Sequence, residues 1–172
     1  QILPWGEVTL LQNAVNSAKK SISDEVVVVL GANAENIQKT LRSNVISVVN
    51  TNWQNGMGSS IASGVQFLLK QKTRFTSILI MLGDQPLIDS DYLNNMMATF
   101  QVSEQDIVAT DYNGRAGVPA LFGFKYFKRL EKLDTEFGAK DLLSQSANDI
   151  QRLDAGVKTT DIDGEADYNK LN

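Results

Sequence analysis

The sequence predicts an α/β domain with a mainly parallel sheet and helices on both faces. Two observations carry that prediction. Short apolar or β-branched runs alternate with stretches of helical periodicity along the whole chain. The stretch Ser77-Ile-Leu-Ile-Met-Leu-Gly-Asp-Gln-Pro86 holds five consecutive apolar residues, Ile78 to Leu82, and then stops at Gly83. A continuous apolar run ended by turn residues reads as a strand buried on both faces, as in a parallel sheet. In open α/β sheets ligands bind at the carboxyl ends of such strands. Asp84 falls at that end, beside a glycine that lets another group approach the backbone. The same Asp also reads as a simple turn closure before Pro86.

In chain order, residues 1–7 read as a loop with an apolar start. Leu10, Leu11, Ala14, Val15 and Ala18 follow helical spacing over Thr9 to Lys20, with Thr9 as cap. Strands are predicted over Val26–Leu30 and Val45–Asn50, with a helix over Ala34–Arg42 between them. A polar loop, Thr51 to Ser60, leads to a helix over Ser59–Lys70. The strand at 77–83 is followed by a helix over Ser90–Phe100. Ile107–Thr110 reads as a strand, Asp111–Gly117 as a loop and Ala120–Phe122 as a short strand. Helices are predicted over Lys125–Lys132 and Ala139–Gln145, strands near Gln151–Leu153 and Thr159–Ile162, and a last helix near Ala166–Leu171. No repeat, low-complexity run or linker divides the 172 residues, so one domain is expected.

Composition narrows the chemistry. Sixteen basic and twenty acidic residues give a net charge of −4 with no basic stripe, which argues against a nucleic-acid surface. No apolar run approaches a membrane span of roughly 20 residues. With no signal-peptide pattern at the start, a cytoplasmic location is expected. The chain contains neither cysteine nor histidine. Ser-His-Asp and Cys-His mechanisms are therefore excluded, as are nearly all zinc and iron sites. Carboxylates holding a hard metal, Lys or Arg as charge clamps, and backbone amides remain. Those are the usual parts for Mg²⁺-assisted phosphoryl or nucleotidyl transfer, although a pure binding module fits the composition equally well.

Four segments are candidates for chemistry. Gly56-Met-Gly-Ser-Ser60 lies between a strand and a helix, where unpaired N–H groups favour phosphate or polar ligand atoms. It also reads as a glycine turn with Ser59 or Ser60 as helix cap, and its spacing is not the dinucleotide fingerprint. In Asp161-Ile-Asp163-Gly164 the two carboxylates share one face of an extended segment and can complete a Mg²⁺ site; alone they also read as solvent-facing acids with Asp163 as a cap. In Asn113-Gly-Arg-Ala-Gly-Val-Pro-Ala-Leu-Phe122, Asn113-Gly114 signals a turn and Gly117–Pro119 a rigid bend. Arg115 is there either to clamp phosphate or simply to be solvated. Lys140, in Phe137-Gly-Ala-Lys140, sits in the first turn of a helix, where a cation is mildly unfavourable and hints at an anionic partner.

Together with Leu3-Pro4-Trp5-Gly6, Val26–Gly31, Asn55 and Leu82-Gly-Asp-Gln-Pro86, these segments occur in the order seen in MobA-like nucleotidyltransferases. The chain most resembles molybdenum cofactor cytidylyltransferases of the MocA type. The resemblance implies a Rossmann-like three-layer sandwich with a mixed, mostly parallel sheet, and transfer of CMP from CTP to a molybdopterin-type cofactor with release of pyrophosphate and a need for Mg²⁺. By the same resemblance, Asp84 and Asp163 are catalytic and, with Asp161, metal ligands. Asn55, Gly56, Met57, Gly58, Ser59, Ser60, Gln85 and Pro86 hold the nucleotide. Gly117, Val118, Pro119 and Lys140 lie toward the acceptor, although members often carry His where this chain has Val118. A molybdoenzyme or its chaperone would receive the product. Relatives open with a strand and a glycine-rich phosphate loop just ahead of the Leu-Pro-Trp segment. The sequence starts after that point, which implies a longer natural chain whose first strand is missing here. A GTP-using or sugar-phosphate transferase of the same fold and a non-catalytic nucleotide-binding relative are the alternatives.

Overall fold

The computed structural model describes residues 1–42, 44–134, 136–160 and 168. Strand β1 (Pro4–Trp5) and strand β2 (Val8–Thr9) form a small antiparallel hairpin in the segment expected to be a loop. Helix α1 (Leu10–Lys20) follows, with the Thr9 hydroxyl accepting from the Gln12 amide at 3.2 Å, so the expected cap is present. Strand β3 (Val27–Leu30), helix α2 (Ala34–Thr40) and strand β4 (Ile46–Val49) make a strand–helix–strand unit in which β3 and β4 are parallel. After a short 3-10 turn at Trp53–Asn55 comes helix α3 (Met57–Leu69), then strand β5 (Ser77–Ile80) and helix α4 (Ser90–Val102).

The second half builds the sheet's other side. Strand β6 (Ile107–Tyr112) turns at Asn113-Gly114 into strand β7 (Arg115–Gly123), which inserts between β5 and β6, antiparallel to both. Strand β8 (Ile150–Asp154) pairs parallel to β6, giving the order β5-β7-β6-β8. Helices α5 (Phe127–Leu130) and α6 (Ala139–Gln145) lie between β7 and β8 in sequence. The sheet is mixed, and the layers follow from period-2 alternation along its strands. Ile78, Ile107, Ala109, Ala120 and Phe122 pack with α3, α5 and α6 on one face. Leu79, Val108 and Leu153 pack with Tyr92, Leu93 and Met96 of α4 on the other. Val28 and Leu30 of β3 pack against Val15 of α1.

Four further sequence expectations need correction. The apolar run 78–82 yields a strand of only four residues, because pairing with β7 ends at Ile80↔Ala120 and the chain then turns. The expected loop 111–117 is the tip of a β-hairpin, since Asn113-Gly114 makes a tight turn and both flanks pair. The helix predicted over Lys125–Lys132 is a 3-10 turn, Phe124–Tyr126, running into the single turn of α5. Thr159 belongs to a 3-10 turn at Gly156–Thr159 rather than to a strand, and the rest of that predicted strand and the last predicted helix lie outside the described residues, Tyr168 apart.

One polar cluster sits inside the core. Thr110 is fully buried; its hydroxyl donates to the Pro119 carbonyl at 2.8 Å and lies 2.9 Å from the Tyr92 hydroxyl. Burial pushes the Tyr92 phenol above its ordinary value. Nearby, Asp89 caps α4 by accepting from the Tyr92 amide at 3.0 Å and forms an ion pair with Lys158.

Two outcomes are expected from this cluster. Thr110→Val keeps the shape but leaves a buried carbonyl unpaired, at a cost of about 1–3 kcal/mol. In thermal unfolding that reads as a fall of roughly 2–4 °C per kcal/mol. The hydrogen bond from Lys158 holds the Asp89 carboxyl below the usual carboxylate range. Its contribution is therefore present above the unfolded-state pKa and is lost as pH falls through the depressed one. Both groups are partly exposed, so Asp89→Asn should shrink the stability difference between neutral and acid pH by under about 1 kcal/mol, measured by denaturant titration.

Candidate functional site

Three chain segments converge at the carboxyl end of β5. The first is the start of α3. The helix begins at Met57, two residues before its expected start, so Gly58, Ser59 and Ser60 are helical and not part of the loop. Gly56 is the N-cap residue and no side chain caps the helix, so neither serine serves as the expected cap. Both serines instead meet Asn50, which is buried just past β4. Its Nδ2 donates to Ser59 Oγ at 2.8 Å and to Ser60 Oγ at 3.0 Å. The hydroxyl of Ser59 is directed at the carbonyls of Gly56 (2.8 Å) and Asn52 (3.0 Å). Asn55 and Met57 are exposed, Gly58 is buried, and the Met57 amide reaches the carbonyl of Glu136 at 3.4 Å. That last bond ties the start of α3 to the segment before α6.

The second segment is the turn after β5. Gly83 is close-packed as expected: a Cβ there would lie 2.9 Å from Leu11 Cδ1. Asp84 is half-buried, four residues beyond the end of β5. Gln85 is 1% exposed, and its Nε2 donates to the Tyr112 hydroxyl at 2.7 Å. Pro86 is buried, with its carbonyl accepting from Asn13 Nδ2 at 3.0 Å.

The third segment is β7. Thr110 pairs with Gly117 but Ala109 pairs with Ala120, so Val118 and Pro119 form a bulge in the β6–β7 ladder. A proline is tolerated there because the bulge takes it out of the hydrogen-bonding pattern. The bulge aims the Val118 carbonyl at the Tyr112 hydroxyl, which donates to it at 2.5 Å. Gly117 is required by the same arrangement, because a Cβ would fall 2.6 Å from the Tyr112 ring. The expected rigid bend is thus a bulge within a long strand. Lys140, in the first turn of α6 as expected, is exposed, with its ammonium 5.8 Å from the Phe137 ring centre.

One cavity of about 1140 Å³ joins these segments. Met57 and Ser60 line it from α3, Gly83 and Gln85 from the turn, Gly117 and Val118 from β7, and Lys140 from α6. Arg115 and Tyr112 line it as well. Asn55, Gly56, Gly58, Ser59, Asp84, Pro86 and Pro119 are not among its lining residues, although Asp84 sits between two that are. Asp161 and Asp163, the expected partners of Asp84, lie outside the described residues. Among the described residues no group of three or more acids, histidines or cysteines is assembled for a metal. The donor type at Asp84, a carboxylate at a strand end beside an open cavity, fits Mg²⁺, which takes one or two carboxylates and completes its shell with phosphates and water.

Sequence reasoning missed Asn50 and Tyr112. Asn50 ends a predicted strand, and only the fold shows that its amide reaches two serines nine and ten positions on. Tyr112 lay in a segment expected to be a loop, so its contact with Gln85, 27 positions away, had no local signal.

"Bifunctional protein GlmU" from Francisella tularensis subsp. holarctica is 27% identical over 151 residues, covering 88% of this chain but 30% of that protein. The chain therefore spans less than a third of the length of such relatives. The Rv0371C complex with manganese from Mycobacterium tuberculosis H37Rv superposes with a TM-score of 0.78 at 23% identity, covering 99% of this chain and 89% of the other. A nucleotidyl transferase from Methanothermobacter, Mth528, does so at 0.80 and 19% identity, covering 99% and 82%. These neighbours share the Rossmann-like fold. Among the described residues no helix is long and apolar enough to cross a membrane. The model of the MobA-like NTP transferase domain matches residues 1–150, and the chain belongs to that family.

Proposed function

We propose that this nucleotidyltransferase acts in the cytoplasm and transfers CMP from CTP to a molybdopterin-type cofactor. The observation that carries the reading is the shared cavity. Met57, Ser60 and Gln85, assigned to the nucleotide, and Gly117, Val118 and Lys140, assigned to the acceptor, open onto the same space. A donor and an acceptor bound to those two sets would therefore meet beside Asp84. The choice of CTP and of a molybdopterin acceptor rests on the Gly56–Ser60 and Gly83–Pro86 segments, which resemble the MocA type.

In this reading a phosphate oxygen of the acceptor attacks the α-phosphorus of CTP in line. The new P–O bond forms as the bond to the β-phosphate oxygen breaks, and pyrophosphate leaves with that electron pair. The nucleophile is already anionic, so no general base is required, which suits a chain without histidine. Asp84, with Asp163 and Asp161, would hold the Mg²⁺. The metal supplies neutralisation of charge developing on the transferred phosphoryl group; a manganese complex among the structural neighbours is consistent with a divalent ion. The start of α3 positions the base and ribose, with Asn50 fixing that helix end. Lys140 supplies positive charge toward the acceptor's phosphate. A molybdoenzyme or its chaperone would take the product.

Asp84→Ala should lower CTP turnover by at least about a hundredfold, measured as pyrophosphate release with molybdopterin as acceptor; turnover within a few-fold of the parent would remove Asp84 from the metal site. Lys140→Ala should raise the KM for the acceptor while leaving the KM for CTP within about twofold, because it removes ground-state binding on one side only. In thermal-shift titrations with Mg²⁺, CTP should raise the midpoint more than GTP at equal concentration. A larger shift with GTP would reassign the donor.

A further inference from the structure

Of the aromatic side chains that line the cavity, Phe75, Phe100, Tyr112 and Phe137, only Phe137 is exposed, at 60%. A single exposed apolar side chain is common on protein surfaces and says little by itself. The backbone on either side of this one sets it apart. On one side the Glu136 carbonyl accepts from the Met57 amide at 3.4 Å. On the other, Gly138 is buried at φ +60°, and a Cβ there would lie 3.1 Å from both Cγ and Sδ of Met57. The left-handed φ and the close approach together call for glycine. Ala139, next along, is 3% exposed and belongs to the main core. The Phe137 carbonyl itself accepts from the Lys140 amide at 3.3 Å. The ring therefore stands in the cavity between anchored neighbours.

A cation shares its surroundings. The Lys140 ammonium is 5.8 Å from the ring centre, at the outer limit of a cation–π contact. Among the described residues Lys140 forms no ion pair. Leaving a phenyl ring in water forgoes the gain of burying it, and an aromatic face readily takes a second flat ring in an offset stack. A flat apolar face with an unpaired ammonium beside it is complementary to a ligand that joins a flat ring to an anionic group.

We propose that Phe137 is a stacking platform for a flat heteroaromatic ring on the acceptor, and that it makes the site choose a ring-bearing phosphate over a sugar phosphate. The inference rests on the proposed reading in taking the Lys140 side of the cavity as the acceptor's. A ligand ring lying on Phe137 covers the exposed face, and the ligand's phosphate meets the Lys140 ammonium alongside. A sugar phosphate engages Lys140 in the same way, but its puckered, hydroxyl-bearing ring offers no flat face and leaves Phe137 in water. Met57, on the nucleotide wall, touches Gly138, so the platform adjoins the wall that takes the donor.

The test uses the parent protein, Phe137→Leu, which stays apolar but loses the flat ring, and Phe137→Tyr, which keeps it. The probes are 6-hydroxymethylpterin phosphate and glucose 1-phosphate, with binding measured by titration calorimetry, and CTP turnover with molybdopterin is followed alongside. The parent should bind the pterin phosphate at least about tenfold more tightly than glucose 1-phosphate. Phe137→Leu should weaken the pterin phosphate by about tenfold while leaving glucose 1-phosphate and the KM for CTP within about twofold. Phe137→Tyr should match the parent. The proposal is overturned by a parent that does not prefer the pterin phosphate, by unchanged pterin binding in Phe137→Leu, by equal losses for the two probes, or by a rise in the KM for CTP in their place. The two readings separate cleanly. Pterin binding that depends on Phe137, without CMP transfer to molybdopterin, keeps the platform and removes the transfer reaction. Transfer whose KM for molybdopterin ignores Phe137→Leu keeps the reaction and removes the platform.

Discussion

The site depends on one buried amide. Gln85 lies inside the protein, and its Nε2 is held by the Tyr112 hydroxyl, which in turn donates to the Val118 carbonyl. This chain of bonds fixes the turn after β5, and with it Asp84, to the strand that runs through the middle of the sheet. A buried amide costs free energy wherever its partners are absent, so the turn has few alternative positions. The bulge at Val118–Pro119 exists in the same frame. As one of its two extra residues, Val118 stands outside the ladder with β6, and its carbonyl faces Tyr112 instead. Thr110 closes the arrangement from below by taking the Pro119 carbonyl.

A parallel device holds the start of α3. In the helix beginning Met-Gly-Ser-Ser, which has no capping side chain, the Glu136 carbonyl accepts from the Met57 amide and the Gly56 carbonyl from the Ser59 amide, so only the remaining N–H groups of the first turn can meet a ligand, and only while that turn is kept from fraying. Asn50 supplies that constraint by binding both serines from the end of β4. The serines are thus engaged with the protein's own groups, and Ser59 does not line the cavity while Ser60 does. Polar recognition at this helix start therefore falls to backbone groups and Ser60 more than to a row of hydroxyls. The exposed Met57 next to them adds an apolar surface on which a flat ring can rest.

Much of the fold was legible because local periodicity and layer packing agreed. The Thr9-capped α1, the β3–α2–β4 unit and α6 lie within a residue or two of their expected bounds. The failures share a physical cause. Residues 111–117 look like a loop because glycines and an Asn-Gly turn dominate them, whereas the ladder that makes them strands is set by partners on β6. Ser59 looks like a cap because serine before an apolar run usually is one; the competing bond to Asn50 comes from another element. Gly83 was readable as a close approach, but not that Leu11 is what approaches. Asn50 and Tyr112 carry no signal in their own neighbourhoods, since each acts on a residue from a different part of the chain.

The lack of histidine has a further consequence for any chemistry in this cavity. With no imidazole in the chain, no side chain titrates near neutral pH from its unperturbed value. Proton transfer near pH 7 would then fall to substrate groups. A phosphate nucleophile needs none, because it is ionised before it binds. What the protein must provide is position and positive charge. On the proposed reading, position would come from two hydrogen-bonded supports, Asn50 on the serines of α3 and Tyr112 on Gln85. Positive charge comes from Lys140 and Arg115 on its rim, and both side chains are exposed. Cations that remain hydrated attract an anionic ligand over a longer range than they hold it, and salt weakens that attraction. On the proposed reading the rim would act mainly in capture, and the buried amides would keep the walls of the site in place.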